Sequence, residues 1–151
     1  MLDQRTADLG PGSLDWNGTL YRTLLTPAES GGAMSIVDSL SPAHSGPPRH
    51  IHHAEDEAFV IFSGEVMFWR EGETFTRGPG ETVFVPRGTE HTFRVIGDQP
   101  ARHLVILTPG GFEAFFADMA RGGFRIPEDM PAVIESATRH NLSFTGPPLD
   151  A

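Results

Sequence analysis

From Gly18 to Pro109 the chain is a series of short apolar segments cut by turn residues at a spacing of about 8–12, the rhythm of a sandwich or barrel. The segments predict strands at Thr19–Leu25, Ala33–Leu40, Glu57–Phe62, Glu65–Arg70, Thr74–Thr76, Glu81–Val85, His91–Ile96 and His103–Leu107. Between them lie Ser63-Gly64, Glu71-Gly72, Gly78-Pro79-Gly80, Pro86-Arg87-Gly88 and Gly97-Asp98, all turn formers. Glu57–Phe62 is apolar on both alternating faces: Phe59 and Ile61 on one, Ala58, Val60 and Phe62 on the other. A strand of that kind is covered twice, by a facing sheet and by an outer helix or a second subunit, so a homodimer is expected.

The period changes after Pro109. Phe112, Phe115, Phe116 and Met119 fall at i, i+3, i+4, i+7, one stripe of a helix closed by Gly122-Gly123. The stripe is read as core that seals the sandwich or its open end. A second helix is expected from about Met130 to His140, with Asp129 as cap and Pro131 in its first turn. The ends, Met1–Leu14 and Thr145–Ala151, read as loops. With no repeat and no internal boundary, residues 1–151 form one expected domain: a core over 18–109 and a helical extension over 110–145.

Composition narrows the chemistry. The 17 glycines and 13 prolines fit many turns and short strands. A formal charge of −9 disfavours nucleic acid or an anionic membrane surface as partner. No apolar run approaches the roughly 18 residues a bilayer requires. Met1 to Gly10 lacks the apolar segment of a secretory leader, so a cytoplasmic location is expected. There is no cysteine, which excludes thiol nucleophiles, disulfides and Cys-ligated metals. All 11 basic residues are Arg, so Schiff-base and Walker-lysine chemistry are excluded too.

Four of the 7 histidines lie between His44 and His53. His50 and His52 are two residues apart, so in an extended segment both rings point to one side. Glu57 opens the next strand on the face of Phe59 and Ile61. If that face lines the interior, its carboxylate is buried and needs a partner or a metal. Two imidazoles and a divalent cation meet that need. Farther on, His91 follows the Pro86-Arg87-Gly88 turn and shares a face with Phe93 and Val95. His53 could replace His52 in a bulged loop and Glu55 could compete with Glu57; otherwise His53, Glu55 and Asp56 read as a solvated rim.

These two stretches together resemble the cupin superfamily, and within it the small single-domain proteins similar to quercetin 2,3-dioxygenase. The first family motif is matched by His50-x-His52, four residues, Glu57, six residues, Gly64; the second by Gly80, five residues, Pro86-x-Gly88, two residues, His91. Gly46 stands four residues before His50 where the loose motif has six, and Val95 replaces the terminal Asn of the second motif. The resemblance covers about Gly46 to Val95, and the tail through Gly146-Pro147-Pro148-Leu149 is similar as well. It implies an all-β double-stranded β-helix, or jelly roll, with one or two C-terminal helices. It also implies one divalent metal ion per chain (Fe, Mn, Ni, Co or Zn) on His50, His52, Glu57 and His91, with Glu57 also acting as general base.

Phe59, Ile61, Met67, Phe84 and Phe93 are the expected wall of a substrate pocket, with His103 as a polar member of it. The function so implied is a metal-dependent oxidoreductase, a dioxygenase that brings O₂ to an aromatic or enediol-type small molecule. The alternatives are a metal-dependent isomerase or hydrolase, for which a phenylalanine-rich cavity is poorly suited, and a non-catalytic small-molecule-binding cupin.

Overall fold

The computed structural model describes residues 9–150, so residues 1–8 of the expected N-terminal loop lie outside the described residues. Elements among the described residues run in the order β1 Leu14–Trp16, β2 Thr19–Leu25, β3 Ser35–Ser41, β4 Pro48–His52, β5 Asp56–Ser63, β6 Glu65–Arg70, β7 Glu73–Arg77, β8 Thr82–Val85, β9 His91–Ile96, β10 Ala101–Thr108, α1 Glu113–Gly122, α2 Met130–Arg139 and β11 Leu142–Pro148. They form two antiparallel sheets, β1-β2-β3-β10-β5-β8 and β11-β4-β9-β6-β7. The inward faces of the two sheets make one core from Val37, Phe59, Ile61, Val66, Phe68, Val83, Val85, Val95, Val105 and Leu107, all buried. This is the jelly roll that the family resemblance implies, and it falls within the sandwich or barrel that the strand rhythm predicts.

Register fixes which side chains face inward. Glu57 pairs with Val85 and with Leu107, and Phe59 with Val83 and Val105, so Glu57 shares the core face of its sheet. On the opposite sheet His50 pairs with His91. Glycine is required at one point of this layout. A Cβ on Gly46 would overlap the Phe93 carbonyl oxygen, so only glycine lets the segment entering β4 run so close to β9. Gly88, at φ 83, supplies the left-handed residue of the Pro-x-Gly turn that brings the chain round to His91.

The helices close one end. Phe115 and Met119 are buried, Phe115 meets Trp16 edge-on at 5.6 Å, and Phe116 stacks on Tyr21 at 4.2 Å. Asp129 stands at the N-cap of α2 without a side-chain cap bond; its carboxylate instead accepts the Arg125 amide at 2.8 Å. Two strands run into the expected end loops, β1 at Leu14 and β11 from Thr145 to Pro148. β1 is three residues long, and β11 runs into Pro147 and Pro148, which an edge strand tolerates because no partner needs their missing N–H. β11 pairs with β4 at Leu142, Ser143 and Phe144, then shifts register before Pro148.

The outer face of the six-stranded sheet carries Ile36, Ala58, Val60, Leu104 and Ile106, half-buried, with Phe62 and Phe84 exposed. The second cover expected for Glu57–Phe62 is therefore not a helix of this chain among the described residues. No helix among the described residues is long and apolar enough to cross a membrane.

Candidate metal centre and its cavity

His50 and His52 project inward from β4, His91 opens β9, and Glu57 comes from β5 on the other sheet. One ligand atom from each lies within 4.8 Å of the others, and all four side chains are buried. His91 Nε2 is 2.9 Å from Glu57 Oε1, and His52 Nε2 is 3.3 Å from Glu57 Oε2. The opposite ring nitrogens face outward partners. His50 Nδ1 donates to the Pro48 carbonyl at 2.7 Å, and His91 Nδ1 donates to the Thr89 carbonyl at 2.9 Å. His52 Nδ1 lies 3.6 Å from Glu55 Oε1, and neither atom has a hydrogen-bond partner. Imidazoles anchored through Nδ1 direct their Nε2 lone pairs at one point, the arrangement that metal-binding histidines adopt. The donor set, three nitrogens and a carboxylate, suits a divalent ion and leaves positions free on a six-coordinate one.

The electrostatics agree. Burial opposes ionisation of Glu57, but His52, His91 and His50 outweigh it and bring its pKa down to about 2. Burial, with His91 and His52 alongside, lowers the pKa of His50 and keeps that ring neutral. Burial works against charge on His52 as well, yet the carboxylates of Glu57 and Glu55 prevail and raise its pKa. A carboxylate held ionised among rings is a site short of positive charge, which a dication supplies.

His50, His52 and Glu57 of the cluster lie in the wall of a cavity of about 210 Å³. Its apolar lining includes Trp16, Tyr21, Phe59, Phe93, Phe112 and Phe144, and its polar lining away from the cluster includes Ser39, Ser41 and His103. Of the expected pocket residues, Phe59, Phe93 and His103 therefore line the cavity. Ile61 faces inward but is packed in the core, away from the cavity surface. Met67 and Phe84 do not belong to the pocket, and strand alternation is the reason. In β6 the inward residues are Val66 and Phe68, which places Met67 on the outer face. In β8 they are Val83 and Val85, which leaves Phe84 55% exposed.

His53 is exposed and pairs with the Ser143 hydroxyl at 2.8 Å, so it stands apart from the cluster. Asp56 pairs with Arg87 at the surface, as a rim residue would. Glu55 does not: it is buried against His52. The aromatic residues of α1 and Phe144 of β11 are cavity residues that the strand reading missed. The helical stripe at Phe112, Phe115 and Phe116 was their signal, since core at an open end is also the wall of that end.

Comparison with known proteins places the same residues in a known context. The cupin domain family model matches residues 37–107, which include all four cluster residues. Quercetin 2,3-dioxygenase of Bacillus subtilis is 28% identical over 97 residues, 64% of this chain, but the match spans only 28% of that protein. Among solved structures, KdgF from a Halomonas species superposes with a TM-score of 0.59 at 16% identity, covering 66% of this chain and 90% of that one. The cupin domain of Schizosaccharomyces pombe Cnp3 gives 0.59 at 18% identity, covering 79% and 81%. At these identities the structural likeness concerns the fold.

Proposed function

The chain carries a cupin domain, matched over residues 37–107, and from that premise we propose that it is a metal-dependent oxidoreductase of the cupin superfamily, a dioxygenase acting on an aromatic or enediol-type small molecule. The observation that carries the reading is the convergence of His50, His52, Glu57 and His91, the first three of them in the wall of a cavity rich in aromatic side chains. A divalent ion held there would polarise a substrate oxygen and, if redox-active, bring O₂ and the substrate together.

The chain's own residues do the rest. Phe59, Phe93, Phe112 and Phe144 hold a flat ligand and exclude water. Glu57, ionised at neutral pH, takes the proton that a substrate hydroxyl releases on binding. Its two oxygens face His91 at 2.9 Å and His52 at 3.3 Å, which hold the carboxylate in place. The likeness to part of a quercetin dioxygenase supports this choice of reaction over isomerisation or hydrolysis. A second copy of the chain is the proposed cover for the outer face bearing Val60, Phe62 and Phe84, since a two-fold axis pairs such a patch with itself.

Metal analysis of the purified protein, with oxygen uptake measured on flavonols and catechols, tests the reading. A redox-active metal at one per chain, lost in His50→Ala, is expected. Protein that holds only zinc and leaves O₂ untouched across those substrates would overturn it.

A further inference from the structure

Beyond the metal cluster, the cavity has a second polar feature. On the inner face of the six-stranded sheet, Tyr21 is registered with Ser39, and Ser39 with His103, so the three form one cross-strand rung. Ser39 and His103 line the cavity and are 0% and 2% exposed. His103 Nε2 lies 3.3 Å from the Ser41 hydroxyl, whereas His103 Nδ1 and Ser39 Oγ have no hydrogen-bond partner. With Nε2 directed at Ser41, Nδ1 on the other side of the ring is the nitrogen left over. A buried polar atom without a partner is costly, and two on one cavity rung point to a ligand group that satisfies them.

We propose that Ser39 and His103 form a recognition subsite for an uncharged oxygen, a hydroxyl or a carbonyl, at the end of the ligand remote from Glu57. The inference rests on the metal-dependent reading of the cavity. Its geometry follows from register. His103 pairs with Ile61, whose backbone lies four residues along β5 from that of Glu57, about 13 Å of strand at about 3.3 Å per residue. That is the span of two or three linked rings, which the aromatic wall between the two ends accommodates. The choice of an uncharged oxygen follows from the surroundings. No arginine lines the cavity among the described residues, and Arg102 is turned to Asp38 at 2.7 Å. Burial lowers the pKa of His103 to about 4, so its ring is neutral at pH 7. A carboxylate at this end would be a buried charge with no counterion. A hydroxyl can accept from the imidazole N–H and donate to Ser39, or the reverse.

Titration calorimetry on the zinc-loaded full chain tests this with three probes: 3-hydroxyflavone, its 4′-hydroxy derivative and its 4′-carboxy derivative. The wild-type protein is expected to bind the 4′-hydroxy compound about tenfold more tightly than the parent, and the 4′-carboxy compound no more tightly. In His103→Leu and, with minimal change in packing, Ser39→Ala, the tenfold ratio is expected to fall to about one. Equal affinities in the wild-type protein, or a ratio unmoved in both variants, would overturn the inference and leave those atoms to a buried water. Either result, with 3-hydroxyflavone still bound, spares the proposed function; failure of the wild-type protein to bind any of the three removes both.

Discussion

Glu55→Gln tests how the metal centre is built. Of the three imidazoles, His50 and His91 are held by backbone carbonyls, which no substitution removes. His52 alone depends on a side chain, Glu55, 3.6 Å from its Nδ1 and likewise without another partner. Losing such an outer partner costs a metal site about 10–100-fold in affinity, which is about 1.4–2.7 kcal/mol. In a domain of this size each kcal/mol moves the melting temperature by about 2–4 °C. The rise in Tm on adding zinc or manganese should therefore shrink by about 3–11 °C in Glu55→Gln, at matched metal concentration, and by more in Glu55→Ala. Chelator competition gives the affinity directly, and the Nδ1 proton of His52, seen by ¹⁵N-edited NMR, reports whether its tautomer is still fixed. Wild-type affinity in both variants, with that proton unmoved, would refute the idea that Glu55 positions His52.

Other outcomes follow from the same geometry. The metal-free protein should lose stability as pH falls below about 6.5, because burial depresses the pKa values of His50 and His103 and the unfolded chain takes up those protons first. A folded value of about 4 makes the His103 contribution about 3 kcal/mol, lost progressively from pH 6.5 to 4. His52 has the opposite sign, its contribution being full below pH 6.5, and the contribution of Glu57 fades only from about pH 4.5 towards 2; urea titrations across pH that rise on acidification would contradict this balance. Phe68→Ala removes a ring packed against Phe59, Phe75 and Phe93 and should cost about 3–5 kcal/mol in urea unfolding; a loss under 1 kcal/mol would mean that the core is not packed as described. Phe84→Ser should leave metal content unchanged and shift sedimentation towards the monomer; a drop in bound metal would return Phe84 to the site.

Much of this was legible in the chain because the features were local. Two same-side histidines, a carboxylate opening the next strand and a histidine after a Pro-x-Gly turn are each short-range patterns, and β6 and β9 begin and end where their turn residues say. Strand parity was harder where both faces are bulky. Met67 and Trp69 alternate with Val66 and Phe68, and Glu65 on one face is matched by Arg70 on the other, so the side chains of β6 leave its parity open and pairing with β9 decides it. Phe84 is the same case: Val85 is inward because it faces Glu57 across the ladder, a contact between residues 28 apart in sequence. Glu55 looked like part of a charged rim because the fold of the loop between β4 and β5, which tucks it under His52, leaves no periodic trace. β1 and β11 owe their extended form to neighbours rather than to their own residues.

The acid comes from one wall of the jelly roll and the three imidazoles from the other. An occupant at their meeting point is thus a rivet through both walls, and it cannot leave without freeing them to breathe independently. Amide hydrogens of β4 and β5, though in separate sheets, should slow their exchange together when the ion is loaded.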